Sequence, residues 1–376
     1  MYPLSAIPNL SVLNHQEIIR IRGRVFAKKD CGRLLFVILR DGIHTLQAIA
    51  IKPKEGCSTS LSIEDYHILR KIENESFIEI MGQVCAAKTA VLACSQQSIE
   101  LEIMGYTILS RSVLDLPITL KEASLTEEKR HAHPFLPSIQ YCKRLDNRVL
   151  DLRTNLSQAI FRINDGMLFY LQKYLRKQGF LEIKTSKLIG SASEGGANLF
   201  KLDYFGQTAC LAQSPQLYKQ MAIMGDFKRV FEIGPVFRAE NSNSNRHLTE
   251  FIGVDIEMVI DKDYMEVVEL LYRMFVYVFD KLHQKYHHEI AIIQSFFDFP
   301  TITLSSALVV LTFSDAIALL KAHSIEIGDL DDFSTEDEKR LGAIVREKYK
   351  TDLFVVTQYP ANVRPFYTMP DPKDSR

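Results

Sequence analysis

Arg229–Met258 reads RVFEIGPVFRAENSNSNRHLTEFIGVDIEM, and this stretch decides how the rest of the chain is read. Two runs of alternating residues flank a short polar loop, the pattern of an antiparallel hairpin with two unlike faces. On the first run Phe231, Ile233 and Phe237 share one face, while Glu232, Gly234, Arg238 and Glu240 share the other. On the second run Ile252, Val254, Ile256 and Met258 fall together, opposite Phe251, Gly253, Asp255 and Glu257. The apolar face is expected to meet a core. The polar face collects a guanidinium, several carboxylates, a ring and two glycines, and glycine inside a strand often marks close approach of a ligand or another backbone. Such a face suits an anion against Arg238 and a flat ring against Phe251. A solvated outer face of an antiparallel sheet gives the same alternation, so the pattern alone leaves both readings open.

Upstream, residues 18–109 read as short strands around one helix. EIIRIRGRVF, GRLLFVILRD and TLQAIAIK precede a helical stretch from Ser62 to Lys71, and FIEIMGQVCAA and SIELEIMGYTI follow it. Three strands, a helix and two strands is the order of an OB-fold, a barrel often used on single-stranded nucleic acid. Phe36 is a candidate for stacking an unpaired base, with Gln47 eleven residues later. Alternation with Leu34 and Ile38 also allows Phe36 a place in the barrel core. Pro117, Pro134 and Pro137, with a charged run from Lys121 to Arg130, suggest a hinge. A long amphipathic helix is expected from Asn155 to about Gln178, with Leu156, Ile160, Ile163, Met167, Leu171 and Leu175 as its apolar stripe and Gly179 as its stop. FLEIKT reads as the next strand. Two helices separated by the acidic GDLDDFSTED occupy Ser314 to Lys350, Ser334 and Asp337 having the spacing of a capping box, and FVVTQY reads as a strand.

With 376 residues the chain is long enough for two domains, and 47% hydrophobic with 24% charged residues is ordinary globular composition. No apolar run approaches the length of a membrane-spanning helix, and no basic-then-apolar signal segment opens the chain, so no membrane association is expected. Six cysteines without a CxxC pair suit reduced thiols in a cytoplasmic protein. His283, His287 and His288 fall at helical spacing on one expected helix, and a solvated helix end is favoured over a metal site. A net charge of −1 gives no general attraction for RNA, so any such affinity must come from local basic patches.

The hairpin segment resembles motif 2 of class II aminoacyl-tRNA synthetases, and its detail (IGPVFRAENSNSNRHLTEF) is similar to the aspartyl type of eukaryotes and archaea. SEGGANLF (Ser193–Phe200) resembles that family's mobile substrate-covering loop, and LAQSPQLYKQ (Leu211–Gln220) its amino-acid pocket. RLDNRVLDLR (Arg144–Arg153) resembles the start of its catalytic domain, and RPFYTMPDP (Arg364–Pro372) a later part of it. The resemblance runs from about Ile18 to the last residue, and matches of this length in one order are far more specific than a lone short pattern. It implies an α+β chain: an OB-fold anticodon-binding domain over 1–110, a hinge over 111–150, and over 151–376 a class II catalytic domain with an antiparallel sheet flanked by helices. The helix from Asn155 with FLEIKT resembles motif 1, the dimer-forming element, although Ser186 stands where that motif has a proline. A homodimer is expected.

The implied reaction uses ATP and Mg2+ to activate L-aspartate as aspartyl-adenylate, then transfers it to the 3′ end of tRNA(Asp). The nucleophile is already an anion, so catalysis is mostly positioning and charge compensation. By resemblance Arg238 binds the α-phosphate and the substrate carboxylate, Glu240 and Phe251 hold the adenine, and Arg246, His247 and Leu248 line the ATP site. Gln216 and Lys219 form the amino-acid pocket, Lys219 pairing the substrate's acidic side chain, Asp255 orienting Lys219, and Glu194 reaching the amine as the Gly195-Gly196 loop closes. Alone, SEGGA would read as an ordinary surface loop. Phe36 and Gln47 stand at the spacing of the family's anticodon-stacking ring and base-reading amide, while KKDCGR departs from its usual glutamine-bearing loop. No GxGxxR-like segment of the motif 3 kind occurs, which leads to the expectation of an incomplete sheet and little ligase activity from this chain alone. A tRNA-binding relative without catalysis, and an enzyme for asparagine or lysine, are the competing readings; Lys219 and the wording of QSPQ and RPFYTMPDP count against the latter.

Overall fold

Strict alternation of β-branched and aliphatic residues with polar ones closes the N-terminal strands into a barrel. The computed structural model describes residues 2–53, 61–125, 139–190, 199–241, 247–364 and 368–372. The barrel is built from β1 (Ile18–Asp30), β2 (Leu34–Asp41), β3 (His44–Ile51), β4 (Phe77–Ala86) and β5 (Ile99–Ser110), in the closed order β1-β2-β3-β5-β4. Inward side chains at every second position, among them Ile19, Ile21, Leu35, Val37, Leu39, Leu46, Ile78, Ile80 and Leu101, form one buried cluster. Each such burial is worth about 1.5–3 kcal/mol. Helix α1 (Ile63–Lys71) closes one side with Tyr66 and Leu69, and the Ser62 hydroxyl caps it by accepting from Asp65 N–H at 3.0 Å. Outside the barrel, the Arg40 guanidinium meets Glu75 at 2.8 Å, and Arg153 reaches the same carboxylate at 3.1 Å. Arg40 and Glu75 are both buried, so each needs the other.

The chain forms two compact units, residues 1–163 with 288–298, and residues 164–287 with 299–376. After the barrel the first unit holds three short helices, α2 (Leu120–Ala123), α3 (Tyr141–Asp146) and α4 (Arg148–Asp151). Ile118, Leu120 and Leu150 pack together with Phe26 against them. Pro134 and Pro137 lie outside the described residues.

Helix α5 runs Asn155–Lys177, close to the expected span, but its buried stripe is not the one expected. Leu156, Leu171 and Leu175 are buried, whereas Ile160 and Met167 are exposed. The stripe instead passes through Ala159, Gly166, Tyr170 and Tyr174. Gly166 carries no hydrophobic signal, yet a Cβ there would lie 2.6 Å from the ring of Tyr286, which fills the notch. Tyr170 and Tyr174 in turn meet Tyr277, with ring centroids 6.2 and 5.4 Å apart.

Four more strands, β6 (Leu181–Glu182), β7 (Leu188–Ile189), β8 (Lys201–Tyr204) and β9 (Gln207–Leu211), lead to α6 (Gln216–Met224). FLEIKT thus yields only the two residues of β6. The decisive hairpin follows as β10 (Arg229–Phe237) and β11 (Glu250–Met258), paired antiparallel in the register Glu232↔Asp255, Gly234↔Gly253 and Val236↔Phe251. Their sheet has the order β11-β10-β6, with β6 parallel to β10, so the described sheet is mixed rather than wholly antiparallel.

The faces of the hairpin correct one expectation. Phe231 is buried on the apolar face, but Ile252 and Val254 on the same face are exposed. Glu232 and Val236, on the polar face, are buried. β11 is an edge strand among the described residues, and its apolar side is exposed at Ile252 and Val254 but half-buried at Ile256 and Met258.

Helix α7 (Met265–Lys285) ends before α8 (His287–Gln294), so His283 and the pair His287–His288 sit on different helices, contrary to the single helix expected. A last lobe pairs β12 (Val310–Thr312) in parallel with β13 (Val355–Thr357), covered by α9 (Phe313–Ala322) and α10 (Thr335–Tyr349). The capping box at Ser334 and Asp337 is formed: Asp337 N–H donates to the Ser334 hydroxyl at 3.2 Å, and Ser334 N–H to the Asp337 carboxylate at 3.0 Å.

Candidate functional site

The site begins with the antiparallel register of β10 and β11, since directly opposed residues share a face. Glu232 and Asp255, Gly234 and Gly253, and Val236 and Phe251 therefore line one surface. The two glycines leave its middle without side chains. A Cβ at Gly253 would come to 3.0 Å from both the Asp255 carboxylate and a Val236 methyl, so a side chain there would require those two groups to give way.

Arg238 follows β10 and is held by its N–H, which donates to Thr249 carbonyl at 3.0 Å. Its guanidinium carbon lies 5.6 Å from the centroid of the Phe251 ring, within cation–π range. Glu240 stands 4.0 Å from Arg238 and 3.8 Å from His247, both long, half-exposed contacts that solvent screens. Arg238 Nε is buried without a hydrogen-bond partner among the described residues. Leu248 is exposed at the far end of the loop. Arg246 and Glu194 lie outside the described residues.

Lys219 comes from α6 and is 4% exposed. Its Nζ reaches Asp255 Oδ1 at 3.3 Å, Glu257 Oε2 at 3.5 Å and the Ile256 carbonyl at 3.1 Å. The structure thus brings Lys219 and Asp255 together, as expected, and adds Glu257. Strand alternation had put Glu257 on the polar face with Asp255, but gave no sign that it would reach Lys219. Gln216 is the first residue of the same helix, one turn before Lys219.

Glu232 is a second feature that the sequence pattern did not single out. Its carboxylate accepts from Thr185 N–H at 3.1 Å, the Thr185 hydroxyl at 2.6 Å and Lys187 Nζ at 2.9 Å. Burial alone pushes this carboxyl up, but the Thr185 and Lys187 bonds outweigh it and hold the group below its ordinary value. It ties β10 to the segment after β6, where Ser186 replaces the expected proline.

In the barrel, Phe36 lies on the outer face of β2, half-buried, while its neighbours Leu35 and Val37 fill the core. The core placement left open by the alternation is therefore excluded. Phe36 pairs with Ile49 on one side and Lys29 on the other. Gln47 shares that face two residues from Ile49, and its amide donates to Glu100 of the neighbouring strand. Sequence spacing could not supply Glu100, because β3 and β5 meet only through the parallel closure.

Magnesium is implied by the resemblance alone. Among the described residues no group of three His, Cys, Asp or Glu side chains is placed to hold a metal ion, so they make no all-protein magnesium site. Nor is any described helix long and apolar enough to cross a membrane.

Comparison with known proteins gives a consistent result. Residues 140–376 match the family described as tRNA synthetases class II (D, K and N). The chain is 46% identical over 353 residues to a probable cytoplasmic aspartate–tRNA ligase of Encephalitozoon cuniculi, covering 94% of this chain and 74% of that protein. It is 39% identical over 373 residues to the cytoplasmic aspartate–tRNA ligase of Homo sapiens, covering 99% and 73%. The solved aspartyl-tRNA synthetase of Entamoeba histolytica superposes with a TM-score of 0.87 at 36% identity, covering 100% of this chain and 74% of the other.

Proposed function

The chain belongs to the class II tRNA synthetases of the D, K and N group, and from that premise we propose that it is an aspartate–tRNA ligase. An oxygen of the L-aspartate α-carboxylate attacks the α-phosphorus of ATP, the bond to the α,β-bridging oxygen breaks, and pyrophosphate leaves. A terminal hydroxyl at the 3′ end of tRNA(Asp) then attacks the aspartyl carbonyl of the adenylate, and AMP leaves. The attacking carboxylate is already ionised, so the site needs position and positive charge rather than a base.

One observation carries this reading: a buried lysine, fixed by two carboxylates, beside a glycine-floored surface bearing Arg238 and Phe251. Asp255 and Glu257 hold the Lys219 Nζ in one place without a substrate. In this reading Lys219 selects an acidic side chain, because the amide of asparagine cannot supply the opposing charge. Arg238, partly exposed and short of partners, takes the α-phosphate and the substrate carboxylate. Phe251 stacks the adenine, with Glu240, His247, Leu248 and Arg246 around the nucleotide. Gln216 and Glu194 are assigned to the amino-acid end. The family uses ATP and magnesium generally; magnesium carried on ATP phosphates needs few protein ligands.

The barrel is proposed to read the anticodon, with the hinge at 111–150 and the catalytic domain from 151 onward. Phe36 offers an outward ring for one base and Lys29, opposite it, a charge for a phosphate. A homodimer is proposed through the apolar surface left open on Met167 and Phe169 of α5 and on Ile252 and Val254. The relatives' names place them in the cytoplasm, and the same location is proposed here.

ATP–pyrophosphate exchange tests the reading. Whatever exchange this chain supports, weak or strong, is expected to be stimulated by aspartate and not by asparagine or lysine. Equal stimulation by asparagine would overturn the assigned substrate.

A further inference from the structure

We propose that Gln213 is a substrate-contacting residue of this site, its side-chain amide taking the ammonium and carboxylate of the amino acid. The proposal rests on the aspartate-activation reading above. Gln213 is fully buried, and neither its Oε1 nor its Nε2 has a hydrogen-bond partner among the described residues. Buried polar side chains are bonded in the great majority of cases, and a bare one costs stability. The other buried polar groups nearby meet that requirement: Glu232 has three bonds and Lys219 two carboxylates and a carbonyl. Arg40, Glu73 and Arg364 each leave one atom unpaired but are engaged in ion pairs. Among the described residues, only Gln213 keeps both ends of its amide bare.

Its place in the fold says what those ends are for. Ala212, just before it, donates its N–H to the Lys187 carbonyl at 2.8 Å and accepts from Phe237 N–H at 3.0 Å. Gln213 therefore starts beside the end of β10, where Arg238 also leaves its buried Nε unpaired. Two unsatisfied polar groups thus flank one backbone hydrogen bond. From Gln213 the chain runs directly through Ser214 and Pro215 into Gln216 and Lys219, the two residues assigned above to the amino-acid end. A primary amide has one accepting oxygen and two donor hydrogens, which match an ammonium and a carboxylate. The amide is kept unpaired in the free protein and is satisfied when the amino acid arrives.

Gln213→Met tests this, since it keeps length and bulk while removing both polar atoms. Thermal melting of the free protein, and calorimetric titration with a non-hydrolysable aspartyl-adenylate analogue and with AMP, are compared with wild type. The expected result is a melting temperature no lower than wild type, with affinity for the analogue weakened about ten-fold and affinity for AMP unchanged. Unchanged affinity for the analogue would overturn the proposal and leave Gln213 a packing or water-bonded residue. Should the methionine variant fold poorly, Gln213→Asn, which keeps the amide but draws it back by one methylene, is read by the same two titrations, with the same selective loss expected and the same null result overturning. A wild-type chain that binds AMP and the aspartyl analogue equally would sink the activation reading itself, an outcome distinct from an unchanged variant.

Discussion

Arg238 and Lys219 occupy different parts of the proposed site, Arg238 beside the Phe251 ring and Lys219 on Asp255 and Glu257, and each can be tested alone. Arg238→Lys keeps the charge but loses the planar fork, and is expected to cut adenylate formation about 10²–10³-fold, as removal of a key charge-stabilising donor does elsewhere. Pyrophosphate exchange measures it, and a loss under about three-fold would deny Arg238 its role. Glu232 makes a different prediction, one of pH. Its carboxyl is held low in the folded chain, so the stabilisation is present above the ordinary carboxylate value and disappears as pH falls through the lowered one. Glu232→Gln should therefore melt well below wild type at pH 7, with the gap closing on acidification below about pH 4.3. Melting curves that stay parallel across that range would contradict it. That Lys219 meets Asp255 and Arg238 lies by Phe251 was legible in the sequence, because strand alternation puts Asp255 and Phe251 on one face and the motif wording marks Lys219 and Arg238. Glu257 reaching Lys219, Glu100 on Gln47 and the bare amide of Gln213 were not, because each depends on which segments meet in space.

Elements were readable wherever pattern and propensity agreed, and misread where a residue without a hydrophobic signal did the packing. The barrel, the span of α1 and the Ser334 box of α10 follow directly from alternation, helical pattern and capping residues. Helix α5 was placed correctly but rotated, because its stripe runs through Gly166, whose notch holds Tyr286. The apolar face of β11 meets cover only in its second half, at Ile256 and Met258, and leaves Ile252 and Val254 exposed. Gly166→Ala offers a test at this scale. Alanine is the better helix former by about 1 kcal/mol, yet its methyl would collide with the Tyr286 ring. Overpacking of this kind costs about 1–3 kcal/mol, so a net fall in thermal stability is expected, and a rise would contradict the packing described.

For the whole molecule, a net charge of −1 means that affinity for tRNA must come from local surfaces. Phe36→Ala should weaken tRNA binding by about 1–3 kcal/mol while leaving aspartate-dependent exchange intact, as filter binding and exchange would register together. Equal loss of both would mean that Phe36 supports the fold rather than a base. On the other surface, the lysine fixed by Asp255 and Glu257 is proposed to choose an acidic amino acid. Calorimetric titration with matched aspartyl- and asparaginyl-adenylate analogues measures that choice directly, in wild type and in Lys219→Met. The account predicts a strong wild-type preference for the aspartyl compound that the variant loses; equal binding of the two by the wild-type chain would contradict it.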